Sequence, residues 1–461
     1  MATYTHLDRD LADWRKEGAA KLDAQAWRCD RYERYFDGEV ISRLLTGEQR
    51  DIFALMLPAS RTNWAELVTN AVAERLLVTG FRFGGSSDDA AWAIWQASAM
   101  DSRAEMCQTD ALVCGHTFVG VWPDEENPTG VQIVPEHPTQ TTLLHRWSGG
   151  RRKVVAAYKR IVEGDELVEQ LIFPDAIATW ERAWNGDASV PVGPADVDPD
   201  MVEDNPAGVV PIVELAPAPR TKGPPRSELQ SVLPIQDRIN LTIYQRMVAT
   251  DFGAFRQIWA TGMTLERTDG GGYKAPFNVG ADRLLTLSNA QGRIGVIPES
   301  SLSGYLDAVA ADVQHLAAIT QTPPHYLLGN MVNISGEALQ AAESGLVAKV
   351  RRRAAHLGQG WEDVQRIALG YVGDPGAVNV QAETVWANFE TRSEAQLVDA
   401  LVKMRTLGVP LEVLWARWGA SPQQIGQWQE MAARENAAQA ASTAAALGAA
   451  DPYAQLLAGS G

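Results

Sequence analysis

The sequence predicts an α+β protein in which long helices carry a small, β-rich tip. Three observations support this fold class. Apolar residues recur at spacings of three and four over several long stretches, as in amphipathic helices. Between residues 117 and 173, short β-branched runs are separated by Pro, Gly and Asn turns, as in an antiparallel sheet. Two long helical patterns flank a Gly-rich insertion at residues 261–298, and the 461-residue chain, 46% hydrophobic, can form more than one domain.

The N-terminal half is predicted to begin with helices and to continue as a sheet. Apolar spacing favours helices over residues 6–51, 64–78 and 88–113. Gly80 is predicted to be the C-cap of the second of these helices. The runs TFVGVW, VQIVPEH, QTTLLHRW, KVVAAYKRI and ELVEQLIF then predict antiparallel strands. Residues 185–226 are rich in Pro, Gly and Asp, which indicates a connection followed by one strand, VVPIVELAP.

The next segment predicts two long helices around a compact insertion. From residue 227 to residue 258 an apolar stripe keeps helical spacing, and such a helix would span roughly 45 Å at about 1.5 Å per residue. The runs YKAPFNV, RLLTLS and RIGVI predict short strands, and residues 301–322 return to a helical pattern. The two helices are therefore expected to act as struts that carry a β-rich tip.

A tandem proline marks the end of the second strut. Pro323 and Pro324 fix φ and lack backbone donors, so the helix is predicted to stop near Thr322. Ser335 can cap the following helix, and Glu337 falls in its positive first turn. The apolar segment between these signals is predicted to form a loop held between two helices. It can either project or pack Met331, Val332 and Ile334 against the adjacent helix.

The C-terminal part is predicted to be helical. A third long pattern covers residues 336–369, and further helices cover residues 393–435 with turns at 408–410 and 419–422. The last residues, 437–461, are of low complexity and rich in alanine. Because they have little to bury, they are predicted to be disordered.

The charge and the motifs argue against tight DNA binding and against catalysis. A net charge of −17 is opposite to the basic surface that grips phosphates, and the basic clusters at 151–153 and 349–353 are predicted to be a solvated hairpin end and helix face. The sequence contains no GxxxxGK[ST], GxSxG, HExxH or HRD motif. His137 and His145 are predicted to be structural, and no catalytic residue and no cofactor are expected.

Three cysteines are too few for a disulfide framework and predict buried thiols in a reducing compartment. A metal site would require Cys107, Cys114 and His116 to meet an acidic partner, and this spacing matches no common zinc pattern. No metal site is therefore predicted. The N-terminus lacks a signal-peptide core, and no apolar stretch is long enough to cross a membrane.

Seven segments, in this order, resemble the portal proteins of tailed bacteriophages of the long, non-contractile-tailed type. They span residues 32–435, and their order is more specific than any one of them. The segments are RYERYFDGEV, NWAELVTNAVAERLLVTGFRF, QIVPEHPTQTTLL, NPAGVVPIVELAP, RSELQSVLPIQDRINLTIYQRMVAT, ITQTPPHYLLGNMVNISGEALQAAES and VWANFETRSEAQLVDALVKMRTLGVPLEVL.

The resemblance implies the portal fold and a ring, usually a dodecamer, at one capsid vertex. DNA is packaged and ejected through the axial channel of such a ring. The family's parts would map onto the chain as a wing (1–226), a stem helix (227–258), a clip (259–300), a second stem helix (301–322), a tunnel loop (323–334), a long helix with the remainder of the wing (335–392), a helical crown (393–436) and the C-terminal tail (437–461).

The resemblance also implies partners and a DNA-facing site. The partners would be double-stranded DNA held without sequence specificity, the terminase motor, the head–tail adaptor, and the major capsid and scaffolding proteins, with no membrane. The protein would be assembled in the host cytoplasm and reside in the virion. The tunnel residues would be Asn330, Met331, Val332 and Asn333, which include no cation and so could touch DNA without gripping it.

Two other hypotheses remain at this point. The first is a DNA-processing or metal-dependent enzyme of the packaging apparatus, which would use the cysteine–histidine set named above. The second is another capsid component such as an adaptor. The length of 461 residues and the order of strut, tip and strut argue against an adaptor.

Overall fold

A computed structural model of the chain describes residues 10–40, 56–83, 86–87, 89–184, 198–254, 258–262, 291–296, 301–328, 336–390, 394–420 and 422–449. The α-helices within these ranges are α1 (Leu11–Phe36), α2 (Trp64–Ala73), α3 (Asp89–Ala97), α4 (Met100–Cys114), α5 (Leu233–Ala254), α6 (Ser303–Thr320), α7 (Pro324–Leu328), α8 (Gly336–Tyr371), α9 (Glu394–Thr406), α10 (Leu411–Trp418) and α11 (Pro422–Ala449).

The strands are β1 (Val78–Phe83), β2 (Ser86–Ser87), β3 (Thr117–Pro123), β4 (Val131–Glu136), β5 (Thr141–Ser148), β6 (Arg151–Glu163), β7 (Glu166–Ile172), β8 (Ala176–Ala183), β9 (Met201–Asp204), β10 (Ile212–Leu215), β11 (Ile258–Thr261), β12 (Arg293–Val296) and β13 (Ala382–Trp386). They form antiparallel sheets with the strand orders β13-β1-β2, β10-β3-β4, β11-β12 and β5-β6-β7-β8-β9. The predicted α+β class is confirmed.

The five-stranded sheet carries α1 across one of its faces. Two-residue turns connect β5 to β6 and β6 to β7, and in the first of them Gly149 and Gly150 both take positive φ values of 59° and 76°, which such a turn requires. Trp14 and Leu22 of α1 pack on Tyr158 and other apolar residues of the sheet. The helix lies so close that a Cβ on Gly18 would come within 2.6 Å of the Tyr158 ring.

The largest core surrounds α8. Trp361 of this helix packs edge-on against Trp95 of α3, with ring centroids 5.0 Å apart, and Trp95 contacts Phe81 of β1 at 5.3 Å. All three rings are buried, as are Leu357 and Val364 on the same helix. Because α8 touches strands from both three-stranded sheets, it joins the N-terminal and C-terminal parts of the chain into one core.

A predicted helix over residues 64–78 ends earlier than expected. The helix stops at Ala73, and Val78–Phe83 is a strand that pairs with Ala382–Trp386. Gly80 therefore lies in a strand opposite Val385, and its prediction as a helix C-cap is wrong. The alternation of VTGFRF favours a strand once a partner is available, and that partner lies about 300 residues further along the chain.

Three further elements differ from the sequence prediction. The helix predicted over 88–113 is broken between α3 and α4, where Ala99 adopts a φ of 54°. The predicted connection 185–226 contains an additional strand, β9, which pairs with β8. The alanine-rich residues 437–449 continue α11 as a helix, which alanine's high helix propensity favours, and residues 437–443 of this stretch are exposed.

The tip between the two long helices is a β-hairpin in its described part. The first long helix ends at Ala254, so Ile258 belongs to β11 rather than to the predicted helix, and β11 pairs with β12. The predicted strand RIGVI is confirmed as β12, whereas YKAPFNV and RLLTLS lie outside the described residues. None of the described helices has both the length and the apolar composition needed to cross a bilayer.

Candidate functional site

The protruding feature of the molecule is the helix pair α5 and α6. Arg238, in the first turns of α5, forms a two-point ion pair with Asp312, in the second half of α6, so the helices run in opposite directions. Arg238 Nη2 lies 2.5 Å from Asp312 Oδ1, and Arg238 Nε lies 3.2 Å from Oδ2. The hydrogen bonds that Arg238 donates to the Asp312 carboxylate raise the pKa of Arg238. The predicted arrangement of two paired struts is confirmed.

The lower end of this pair, here called the root, is buried in the body of the protein. Ile239 of α5 and Val313 and Leu316 of α6 are nearly inaccessible and belong to an apolar cluster with α1, α2 and α4. Polar side chains add to this anchoring. Tyr35 donates to Asp237 at 2.9 Å, and Gln236 donates to the carbonyl oxygen of Thr62 at 2.8 Å.

The upper part of α6, by contrast, is exposed. Leu306 is 52% exposed and Leu302, just before the helix, is 36% exposed, whereas Leu316 nearer the root is fully buried, although Ile319 in the last turn is 55% exposed. Trp259, in the hairpin at the tip, is 44% exposed. An apolar stripe of this kind on a protruding element is typical of a surface that other chains cover.

A rigid corner follows α6. The helix ends at Thr320, and Gln321 adopts a left-handed conformation with a φ of 57° before Pro323 and Pro324. The predicted stop near Thr322 is confirmed. The last carbonyls of the helix find partners, as helix ends require: Thr322 N donates to Ala317 O at 3.1 Å, and Lys349 Nζ donates to Thr320 O at 2.9 Å.

A buried acid joins the root to α8. Glu228 Oε2 lies 2.8 Å from Lys349 Nζ, and Glu228 Oε1 lies 2.5 Å from Arg353 Nε. Burial alone would raise the pKa of Glu228, but the charges and hydrogen bonds of Lys349 and Arg353 outweigh it and hold the pKa below its usual value. Burial lowers the pKa of Lys349 despite the attraction of Glu228.

This network corrects one sequence prediction. The basic cluster 349–353 was expected to be a solvated helix face, but Lys349 is only 3% exposed. Arg351 and Arg352 are exposed as expected. Only the residues on the inner side of α8 meet Glu228, because helical geometry divides five consecutive positions between two faces. The cluster at 151–153 is exposed at a hairpin end, as predicted.

The short helix α7 is fixed from two sides. Arg75 Nη2 donates to the Tyr326 hydroxyl at 2.9 Å, and the guanidinium lies 5.7 Å from the centre of the Tyr326 ring. Arg75 also lies 3.8 Å from Glu343 of α8, and His325 lies 4.0 Å from the same carboxylate. Arg75 therefore contacts Tyr326, before residues 329–335, and Glu343, after them, so one side chain links the two flanks of this segment.

The predicted tunnel residues Asn330, Met331, Val332 and Asn333 lie outside the described residues, as does the predicted cap Ser335. The residues that flank them were not predicted as site residues. Arg75 and Glu228 lie far from this loop in sequence, and no local pattern links them to it. The one signal near them is Ser227, which opens the helical pattern and accepts a hydrogen bond from Leu229 N at 3.0 Å.

The structure also contains a cavity of about 440 Å³ between α1, the five-stranded sheet, the sheet β10-β3-β4 and the chain after β10. Inside it, His116 Nδ1 lies 2.6 Å from Glu214 Oε1. Burial would raise the pKa of Glu214, but the hydrogen bond and charge of His116 outweigh it and lower that pKa. Burial, with Lys21 and Arg152 nearby, lowers the pKa of His145 to about 4.

The cysteines do not behave as predicted. Cys29 and Cys114 form a disulfide with Cα atoms 4.8 Å apart, so the prediction of three buried thiols is wrong for this pair. The cause is tertiary, because α1 and α4 pack side by side although the cysteines are 85 residues apart. Cys107 is a buried thiol whose pKa burial raises to about 12. The set Cys107, Cys114 and His116 is not brought together.

The helix pair α5 and α6 is thus anchored in the core at one end and carries exposed apolar side chains towards the other. Residues 16–438 match the family described as phage portal protein, SPP1 Gp6-like. Because this match covers most of the chain, the chain belongs to that family of phage portal proteins.

Individual relatives agree with this assignment. The portal protein of Mycobacterium phage L5 is 28% identical over 367 residues, which cover 75% of this chain and 72% of the relative. The portal protein of Mycobacterium phage D29 is 27% identical over the same shares. Among solved structures, the neck of a native GTA particle computed with C12 symmetry covers 80% of this chain and 93% of that chain, at 13% identity and a TM-score of 0.46.

The function is therefore that of a phage portal protein. Proteins of this family form the channel through which the genome is packaged and ejected, and they provide the docking site for the packaging motor and the head–tail adaptor. The chain is a structural component of the virion and not an enzyme, so the alternative of a DNA-processing or metal-dependent enzyme is wrong.

Proposed function

We propose that copies of this chain form a dodecameric ring around an axial channel for double-stranded DNA. The stem of the ring is the pair α5 and α6, the clip is the tip that contains β11 and β12, and the crown is formed by α9, α10 and the first part of α11. The wing comprises residues 1–226 together with β13. Residues 323–334 form the tunnel loop that faces the channel.

The observation that carries this proposal is the exposure of the upper helix pair. A helix pair fixed at one end, with Leu302 and Leu306 exposed along its length, leaves apolar surface in contact with water. In a ring each pair would lie against the pairs of two neighbouring subunits, which would cover this surface by a repeated head-to-tail contact.

The tunnel loop suits contact with moving DNA. Arg75, Tyr326 and Glu343 hold its two flanks, so the seven residues at 329–335 have fixed ends. Asn330, Met331, Val332 and Asn333 carry no positive charge. Each cation that neutralises a phosphate adds affinity and would slow translocation, whereas neutral side chains can touch DNA of any sequence without holding it.

The partners follow from the same arrangement. The clip would dock the terminase motor during packaging and the head–tail adaptor afterwards, while the wing would contact the major capsid and scaffolding proteins. Assembly would take place in the host cytoplasm before the ring enters the virion. The net charge of −17 suits a conduit, because a mostly acidic surface does not retain DNA outside the channel.

The loop assignment can be tested by replacing Met331, Val332 and Asn333 with glycines. We expect rings of unchanged mass but impaired packaging or retention of DNA. The matched control replaces Val378 and Val380, which are 85% and 87% exposed, with glycines and should package normally. Normal packaging by the loop variant would show the loop assignment to be wrong. A chain that stays monomeric or dimeric in native mass measurements at all concentrations would show the ring itself to be wrong.

A further inference from the structure

Four side chains that metals commonly bind converge where α1, the end of α4 and the β4–β5 turn meet. They are Cys29 and Glu33 of α1, Cys114 at the end of α4, and His137 in the turn after β4. Their sulfur, oxygen and nitrogen atoms all lie within 4.8 Å of one another. Elements that are distant in sequence thus contribute one ligand atom each, except for α1, which contributes two.

The Glu33 carboxylate lies at the centre of this cluster. Its Oε1 atom is 2.7 Å from His137 Nε2 and 3.8 Å from the Sγ atoms of both Cys29 and Cys114. Cys29 and Glu33 are four residues apart on one helix, so they share a face and point to the same place. The side chains therefore surround a common point rather than forming separate pairs.

Burial gives the cluster a closed side and an open side. Cys29 is 2% exposed and Cys114 is 9% exposed, whereas the side chains of Glu33 and His137 are each 31% exposed. The sulfurs are thus shielded from solvent, and an ion can enter past the carboxylate and the imidazole.

The imidazole is already oriented for coordination. Thr139 N–H donates to His137 Nδ1 at 3.3 Å and Thr139 Oγ1 lies 2.7 Å from the same nitrogen, so Nε2 faces Glu33 and donates to it at 2.7 Å. Coordination through Nε2 requires its proton to be lost or to move to Nδ1, which would then donate to Thr139 Oγ1 and leave the Nε2 lone pair facing the cluster. A hydrogen bond of this kind from the second ring nitrogen accompanies most metal-bound histidines.

We propose that the reduced chain binds one Zn²⁺ ion through Cys29 Sγ, Cys114 Sγ, His137 Nε2 and the Glu33 carboxylate. Two thiolates, one imidazole and one carboxylate form a set of four ligands that zinc accepts in tetrahedral geometry. On binding, the two thiols release their protons to solvent and two Zn–S bonds form, so no electron is transferred. All four positions are taken by protein, which makes the site structural.

The disulfide and the ion are alternative states of the same residues. In the structure the two sulfurs are bonded to each other, and a disulfide sulfur is not a thiolate. Zinc binding starts from the dithiol, and Zn–S bonds of about 2.3 Å require the sulfurs to move apart to either side of the ion. The disulfide connects α1 with α4, whereas zinc would also bind Glu33 and would attach the β4–β5 turn through His137.

The test is the metal content of the full chain, purified under reducing conditions with zinc present and then freed of loosely bound ions. We expect one zinc per chain. Cys29→Ser and Cys114→Ser should lose it, and His137→Ala should weaken zinc binding by at least about tenfold. Cys107→Ala removes the free thiol outside the cluster and should retain the full zinc content.

Cobalt(II) provides a second measurement that does not depend on the stability of the cysteine variants. Replacement of zinc by cobalt should give a thiolate-to-metal charge-transfer band and the intense visible bands of tetrahedral coordination. The Glu33 side chain is partly exposed, so Glu33→Gln should leave the fold intact. This variant should change the visible bands, while the charge-transfer band remains. Removal of zinc with a chelator should lower the Tm of the reduced wild-type chain by more than that of His137→Ala, in which zinc binds more weakly.

Two results would overturn the proposal. One is a folded, reduced chain that holds no stoichiometric zinc and gives no thiolate–cobalt band, in which case the pair serves as a disulfide only. The other is equal zinc content in the folded Cys29→Ser variant and the wild type, which would place any bound ion elsewhere. Neither result bears on ring formation or packaging, so the test is independent of the proposed function.

Discussion

Glu228 is the residue on which the root of the helix pair depends most directly. It is 8% exposed, and its carboxylate oxygens face two cations of α8. A buried ion pair adds little net stability compared with apolar packing, but loss of one partner leaves an uncompensated charge in a low-dielectric site. The orientation of α8 relative to the start of α5 is therefore sensitive to this single carboxylate.

We expect Glu228→Gln to destabilise the chain by about 3 kcal/mol, because Lys349 would remain buried with its main partner neutralised. Urea unfolding of the unassembled chain measures this change. The control is Glu430→Gln, which removes an exposed ion pair with Arg434 at 3.4 Å and should cost less than about 0.5 kcal/mol. Equal effects of the two substitutions would contradict the importance of the buried network.

His145 should make stability depend on pH. Its pKa in the folded chain is about 4, whereas an unfolded histidine titrates near 6.5, so the unfolded chain binds more protons as the pH falls between these values. The groups that face it are Lys21, Arg152 and Glu214. Above about pH 6.5 His145 is neutral in both states, and its contribution to the free energy of unfolding does not change with pH. As the pH falls from about 6.5 towards 4, the free energy of unfolding decreases, because only the unfolded chain takes up the proton.

The measurement compares urea unfolding at pH 7 and near pH 4.5 for wild type and His145→Gln. We expect the variant to lose about 1 kcal/mol less than wild type on acidification, since His145 is partly solvated and solvent screening reduces the full effect. Parallel pH profiles for the two proteins would mean that burial of His145 does not control this titration.

At the scale of elements, local signals predicted the presence of most helices but not all of their ends, and they did not predict strand partners. The stop after α6 could be predicted because Pro323 and Pro324 act on their immediate neighbours. Val78–Phe83 could not be assigned, because a strand is stabilised by its partner, and β13 begins at Ala382. Long apolar periodicity predicted α8, although it could not predict that Lys349 faces inward to Glu228.

In the candidate site, too, features set by neighbouring residues could be predicted and contacts between distant residues could not. The order of two struts, a tip and a proline corner is visible in the sequence, and the structure confirms it for the described residues. Arg75 and Tyr326 could not be predicted to meet, because 251 residues separate them. Cys29 and Cys114 were likewise too far apart in sequence for their contact to be read from spacing.

Gly18 sets how closely α1 lies on the five-stranded sheet. Alanine favours helix over glycine by up to about 1 kcal/mol, but here its Cβ would meet the Tyr158 ring at 2.6 Å. We therefore expect Gly18→Ala to destabilise the chain by about 1–3 kcal/mol. Gly345→Ala in α8, where the nearest atom would be 3.9 Å away, should be neutral or stabilising. Thermal unfolding measures both variants: the Tm should fall for Gly18→Ala and should stay the same or rise for Gly345→Ala.

For the whole molecule, the exposed stripe on α6 is the feature that a single chain cannot explain by its own packing. If neighbouring subunits cover Leu306 in the proposed ring, Leu306→Glu should leave the fold and the unfolding free energy of the monomer nearly unchanged. It should reduce the assembled fraction by at least about tenfold, because each contact would bury an unpaired charge.

Native mass measurement at matched concentrations gives the assembled fraction. Val380→Glu, at a position that is 87% exposed and away from the helix pair, is the control and should assemble like wild type. Rings formed equally well by both variants would remove Leu306 from the proposed interface.

The helix pair is attached to the body at its root, and this attachment has a mechanical consequence. The 22 residues of α5 extend about 33 Å, so a force applied sideways at the β11–β12 hairpin acts on the root through a lever of about that length. At the root, Arg238 pairs with Asp312 and Glu228 pairs with Lys349 and Arg353 of α8, so these contacts link the helix pair to α8. A load on the tip would thus be felt along the whole 36-residue length of α8, including the end beside the chain segment 329–335.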